Sequence, residues 1–174
     1  MKRFFAFVVV SLLMLTGSGA AKDLTLKEVP TEVYYSPHGG AQDALVRHID
    51  AAHESVYILA YSFTSGPITA ALCRAVARGV RVEAVLDRSQ RTAKGGQGQA
   101  LADCGGHVAV DSRHAIAHNK IMVFDCRAVA TGSFNFTTGA EARNAENLLI
   151  LDSPELARLY REEWDRNRGH AAPW

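Results

Sequence analysis

Between Val56 and Leu86 the chain passes from a continuous apolar segment through an amphipathic segment to a second strand-like segment, and this order constrains how the chain can fold. Val56 to Tyr61 carries no charge and shows no polar alternation, as in a strand whose sheet is covered on both faces. Ser65-Gly66-Pro67 then opens a helix in which Ile68, Ala71, Leu72, Ala75 and Val76 fall at i, i+3, i+4, i+7 and i+8, forming one inward stripe. Gly79 stops this helix, and Val80 to Leu86 begins a strand at once. Strand, crossover helix and strand make parallel neighbours with the helix packed on their sheet.

The flanking segments extend this pattern. Glu32 to Tyr35 reads as a short strand ended by Ser36-Pro37-His38-Gly39-Gly40, and Ala41 to His53 as a helix with Leu45 and Ile49 on one face. Asp87 to Gly106 is rich in Arg, Lys, Gln and Gly, with a short helix expected over Gln97 to Ala102. His107 to Val110, Lys120 to Phe124, Ala128 to Thr131 and Asn147 to Leu151 read as strands. Ser153-Pro154-Glu155 caps a final helix bearing Leu156, Leu159, Tyr160 and Trp164. The expected fold class is α/β, with a mixed, largely parallel central sheet.

Lys2 and Arg3 precede an apolar run from Phe4 to Leu15, followed by the small residues Gly17 to Ala21. This is the layout of a secretory signal peptide over residues 1–21, and the run is short for a bilayer span, which needs about 20 residues. An uncleaved anchor is the alternative. Residues 22–174 then suffice for one domain, secreted or periplasmic, with no stable membrane partner after cleavage. Removing Lys2 and Arg3 from 19 basic residues leaves 17 against 18 acids, so a polyanion would have to be met by a local patch. Cys73, Cys104 and Cys126 divide into one disulfide and one thiol in an oxidising compartment. Cys73 lies in the helical stripe as a core residue, which leaves Cys104 and Cys126 to pair.

The chemistry concentrates between His118 and Asn135. If Phe124 and Ala128 pair across the turn Asp125-Cys126-Arg127, Lys120 falls opposite Gly132 and His118 opposite Phe134, at the open end of a hairpin. His118 and Lys120, two apart, project from one face. Ser133 and Asn135 would point away in an unbroken strand, so Gly132 is expected to end the strand and redirect them. Lys120 supplies a compact positive charge, Ser133 and Asn135 supply donors for phosphate oxygens, and His118 can attack phosphorus or move a proton. Glu146, opening the last strand, could orient the imidazole.

His118-x-Lys120-x4-Asp125-x6-Gly132-Ser133-x-Asn135 resembles the defining pattern of the phospholipase D superfamily, and in particular its small secreted bacterial endonucleases with one motif per chain. The resemblance extends over Tyr35-Ser36-Pro37, Ala60 to Thr64, Arg78-Gly79-Val80, Val85-Leu86-Asp87 and Asn144 to Asn147, and so from about Val33 to Trp164. It implies an α/β/α sandwich and a metal-independent, two-step reaction without cofactor. His118 would form a phosphohistidine, Lys120, Ser133 and Asn135 would bind phosphate, and Glu146 would orient His118. Asp125 is often counted among the catalytic residues of such proteins, but its place at the turn distal to the phosphate makes it mainly structural. One histidine per chain leaves the reaction short of a proton donor, which predicts a two-fold homodimer with a shared active site.

Other readings compete at several positions. Cys104, His107, His114 and His118 are all possible zinc ligands, though at unfamiliar spacing. Arg78, Arg81, Arg88, Arg91 and Lys94 either track nucleic-acid phosphates or form a solvated face. Ser62 and Phe63 could line the pocket, or serve as turn and core. The leading function is a phosphodiesterase cleaving DNA with little sequence preference, with RNA left open as a further substrate. A lipid phosphodiesterase is second, and a non-catalytic nucleic-acid-binding module third.

Overall fold

The computed structural model describes residues 21–174, so the expected signal peptide, apart from Ala21, lies outside the described residues. In chain order the elements are β1 (Thr31–Ser36), α1 (Ala41–Ala51), β2 (Ser55–Ala60), α2 (Gly66–Ala77), β3 (Arg81–Asp87), α3 (Gly98–Asp103), β4 (His107–Asp111), β5 (Lys120–Phe124), β6 (Ala128–Gly132), α4 (Thr138–Ala142), β7 (Glu146–Asp152), α5 (Pro154–Arg168) and β8 (Ala172–Pro173). One eight-stranded sheet takes the order β1-β7-β6-β5-β2-β3-β4-β8. The crossover α2 makes β2 and β3 parallel, and β4 continues parallel to β3. Every other neighbouring pair is antiparallel. The sheet is therefore mixed as expected, but parallel pairing is confined to β2, β3 and β4 and does not predominate. Tight chain reversals such as the β5–β6 turn force antiparallel neighbours.

Alternation along β2 shows the layering. Val56, Ile58 and Ala60 join Leu45 and Ile49 of α1, Leu72 and Ala75 of α2 and Leu101 of α3 in one core. Tyr57 and Leu59 point through the opposite face, to Ala157 and Trp164 of α5. The indole N–H of Trp164 donates to the Ile58 carbonyl at 3.1 Å, and the Arg161 guanidinium lies 3.7 Å from the Tyr57 ring centroid. Helices thus cover both faces, and the fold is an α/β/α sandwich. Ser65 and Ser153 both cap their helices, accepting from the N–H of Ile68 and Leu156 at 3.3 Å.

The disulfide joins Cys73 to Cys104, across a Cα separation of 5.7 Å, and Cys126 is free and exposed at the β5–β6 turn. The expected Cys104–Cys126 pairing is thus incorrect. Cys73 sits beside the buried stripe of α2, half-exposed toward the packed helix α3, at whose C-terminus Cys104 lies.

Candidate active site

The topology brings chemistry to one edge of the sheet. Ala60 pairs with Lys120 and Ser36 with Glu146, so the C-terminal ends of β1, β2 and β6 meet the N-terminal ends of β5 and β7. The β5–β6 hairpin has the expected register, with Phe124 opposite Ala128, Val123 opposite Val129, Met122 opposite Ala130 and Ile121 opposite Thr131. Beyond Ala60, the Tyr61 N–H donates to the Asn119 carbonyl at 2.9 Å, fixing the segment between His118 and Lys120.

His118 is exposed, its ring centroid 4.5 Å from that of Tyr61. Lys120 is buried at 8 % exposure. Its ammonium donates to the His118 carbonyl at 2.8 Å and lies 5.0 Å from the Tyr61 ring centroid. Burial lowers the Lys120 pKa below the ordinary lysine value, and the negative charge of Glu146 opposes that shift. The site thus holds a partly desolvated cation beside an accessible imidazole.

Gly132 does end β6. Its φ is +154°, and a Cβ there would lie 2.3 Å from the Asn147 carbonyl oxygen, so only glycine allows this approach of β6 to β7. The turned chain seats Ser133 against Asn147. The Ser133 N–H donates to the Asn147 side-chain oxygen at 2.9 Å, and Ser133 Oγ accepts from the Asn147 N–H at 3.0 Å. With that lone pair engaged, the hydroxyl proton is available to a phosphate oxygen. Phe134 and Phe136 are buried on either side of Asn135, and the Phe136 carbonyl accepts from the N–H groups of Thr64 and Ser65 at 3.0 Å. Asn135 Oδ1 is buried without a hydrogen-bond partner among the described residues, so the fold does not consume that end of the amide.

Two carboxylates stand where the sequence places them, Glu146 opening β7 and Asp125 at the distal turn, and their partners define what each does. Glu146 accepts from Asn144 Nδ2 at 3.0 Å and acts electrostatically on Lys120, and no hydrogen bond joins it to the His118 ring among the described residues. Asp125 accepts from the N–H groups of His53, Glu54 and Ser55 at 3.0, 2.8 and 2.8 Å, at the far end of β5. Its place in the motif therefore serves the fold and not the reacting phosphate, and counting it with the catalytic residues is corrected accordingly.

Asp87 was not singled out by sequence. Its buried carboxylate takes the Ser89 N–H and hydroxyl with Oδ1 and the Ala117 N–H with Oδ2, anchoring the residue before His118. An acid closing the apolar strand Val80 to Leu86 was the available signal. The basic region divides: Arg78 is turned to the carbonyls of Ile49 and Ala52, and Arg81 opens β3 at the distal end. Arg88 follows Asp87 and donates to the Ala115 carbonyl, Arg91 donates to the Pro173 carbonyl, and Lys94 is exposed. Phe63 is fully buried core. The zinc set Cys104, His107, His114 and His118 does not assemble, since Cys104 is in the disulfide and His107 opens β4 while His114 lies past its other end.

An α/β/α sandwich that gathers a histidine, a buried lysine, a serine and an asparagine at one sheet edge defines the class of domain to which this chain belongs. The chain belongs to the phospholipase D superfamily: the family described as cardiolipin synthase, PLD-like domain, matches residues 45–168. A protein named phospholipase D from Rickettsia conorii is 42 % identical over 130 residues, which cover 75 % of this chain and 65 % of the relative. Human mitochondrial cardiolipin hydrolase is 36 % identical over 131 residues, covering 75 % of this chain and 52 % of the relative. The chain thus spans less than two thirds of these relatives. The crystal structure of a phospholipase D family member, Nuc from Salmonella typhimurium, superposes with a TM-score of 0.79 at 36 % identity, over 84 % of this chain and 99 % of that one.

Proposed function

We propose that the chain is a secreted or periplasmic endonuclease that cleaves DNA, and RNA with it, with little sequence preference. It works as a two-fold homodimer with a shared active site. The observation that carries this reading is the placement of exposed His118, buried Lys120 and the unspent Ser133 proton at one sheet edge.

In the first step an unprotonated His118 nitrogen bonds to phosphorus, and the bond to the leaving oxygen breaks. The second copy's His118, as imidazolium, gives that oxygen its proton. In the second step this neutral imidazole takes a proton from water, whose oxygen displaces the phosphohistidine nitrogen. Lys120, Ser133 and Asn135 hold the non-bridging oxygens throughout, where charge accumulates. Glu146 favours the charged form of Lys120 and, on releasing Asn144, orients His118. Arg88, Arg91 and Lys94 beyond Asp87 supply local positive charge for a polyanion, which the nearly neutral whole chain does not.

One observation favours a lipid substrate as the second reading. An apolar recess of about 300 Å³, lined by Asn119, Ile121, Leu156, Leu159, Tyr160 and Glu163, adjoins the His118–Lys120 segment. Purified protein in excess chelator, assayed on plasmid DNA, single strands, RNA and phospholipid, separates the readings. Nucleic-acid cleavage that falls by about 10³-fold or more in His118→Ala is the expected result. Lipid cleavage alone would replace this reading, and binding without turnover in either form would reduce the protein to a binding module.

A further inference from the structure

A second group of chemically capable side chains lies apart from the phosphate-binding residues, where the segment carrying His118 leaves β4. Asp111 ends β4 and is buried. Its Oδ1 accepts from the N–H groups of Arg113 and His114 at 2.9 and 3.2 Å. Its Oδ2 lies 2.7 Å from Nδ1 of His114 and 3.4 Å from Nε2 of His170, which follows α5. The three outward ligand atoms fall within 4.8 Å of one another.

One carboxylate and two imidazoles are a donor set for a borderline divalent metal. Tetrahedral zinc, with bonds of about 2.0 Å, spaces its ligand atoms by about 3.3 Å. The gap of 3.4 Å between Asp111 and His170 already has that spacing. The gap of 2.7 Å to His114 must open slightly, and His114 is exposed and can turn. The carboxylate is also held as a ligand would be, with one oxygen fixed by backbone donors and the other facing only the two imidazoles that would share the ion. This orienting shell exists before any ion arrives.

We propose that Asp111, His114 and His170 bind one zinc-class divalent cation. Both histidines coordinate as neutral imidazoles, His114 through Nδ1 with its remaining proton on Nε2, and water completes the shell. The ion clasps two segments distant in sequence. His114 belongs to the run that continues through Ala117, tied to Asp87, into His118, while His170 lies two residues before the strand β8 that pairs with β4. Such an ion steadies the segment presenting His118 and takes no part in the chemistry at phosphorus. It differs from the competing zinc set of the sequence in using Asp111 and His170 and in leaving His118 free.

Tag-free protein stripped with chelator and titrated with zinc or cobalt(II) chloride tests the site without any activity measurement. The expected result is one equivalent bound, a tetrahedral cobalt absorption band and a raised Tm. Affinity should fall at least about tenfold in His114→Ala and His170→Ala, and it should be unchanged in His118→Ala. X-ray absorption of the zinc-loaded wild type keeps the test decisive if a variant does not fold, because it should show two imidazoles and no sulfur. Absence of stoichiometric binding, binding that survives the double substitution, or a sulfur ligand from Cys126 would overturn the assignment.

Discussion

Lys120 stands under two opposed influences, burial that disfavours its charge and the Glu146 carboxylate that favours it. Glu146→Gln removes the favourable charge and leaves the burial, lowering the Lys120 pKa further. Titration of the Lys120 ammonium followed by NMR should therefore show its midpoint at lower pH in this variant than in the wild type. In the proposed reaction the activity profile is bounded on both limbs by the two imidazoles, so the lysine is read directly, and an unmoved Lys120 midpoint would exclude the influence of Glu146 on it. At this scale the sequence was legible for residue types and less so for partners. Lys120, Ser133 and Asn135 could be named because phosphate needs their donors. That Asn147 would accept from one face of Ser133 and donate to the other depends on how closely Gly132 lets β7 approach, which no local pattern encodes.

The β5–β6 hairpin shows how an element reaches the site while being secured elsewhere. At its closed end Asp125 gathers three backbone N–H groups from the start of β2, and at its open end β5 begins with Lys120. Burial raises the Asp125 pKa, but the bonds from Ser55, His53 and Glu54 outweigh it and hold the carboxyl below its ordinary value. A depressed carboxylate contributes stability that is present above its unfolded pKa, near about 4, and is lost as pH falls through the folded value. Asp125→Ala should cost about 2 to 3 kcal/mol at neutral pH, the scale of a lost charge-assisted cluster. Urea unfolding should show the difference between variant and wild type shrinking in acid, while activity per folded molecule falls far less than in His118→Ala. The hairpin was legible because its register follows from the turn beside it. The small elements were not: α4 buries only Ala140, and β8 is two residues long, so neither carries a periodicity. The disulfide escaped because it depends on α3 packing against α2, a long-range contact.

At the scale of the whole molecule, the proposed reaction asks for a nucleophile and a proton donor where each chain carries a single His118 in the motif. Tyr35 and Ile116, large apolar side chains 67 % and 58 % exposed, lie at the site end of the sheet, beside Ser36 and shortly before His118. A second copy docked there would remove both from water and bring its own His118 to the same phosphate. Ile116→Glu should then weaken self-association in sedimentation, and its activity per chain should decline on dilution at concentrations where the wild type holds steady. Coexpression with His118→Ala separates a shared site from independent ones. If both imidazoles are needed, only dimers of two wild-type chains turn over, and random assembly from equal amounts leaves about a quarter of the activity. Independent sites leave about half, since each wild-type chain keeps working beside its inactive partner. A linear fall with wild-type fraction, or full turnover by a monomeric Ile116→Glu protein, would require the proton donor to come from the same chain.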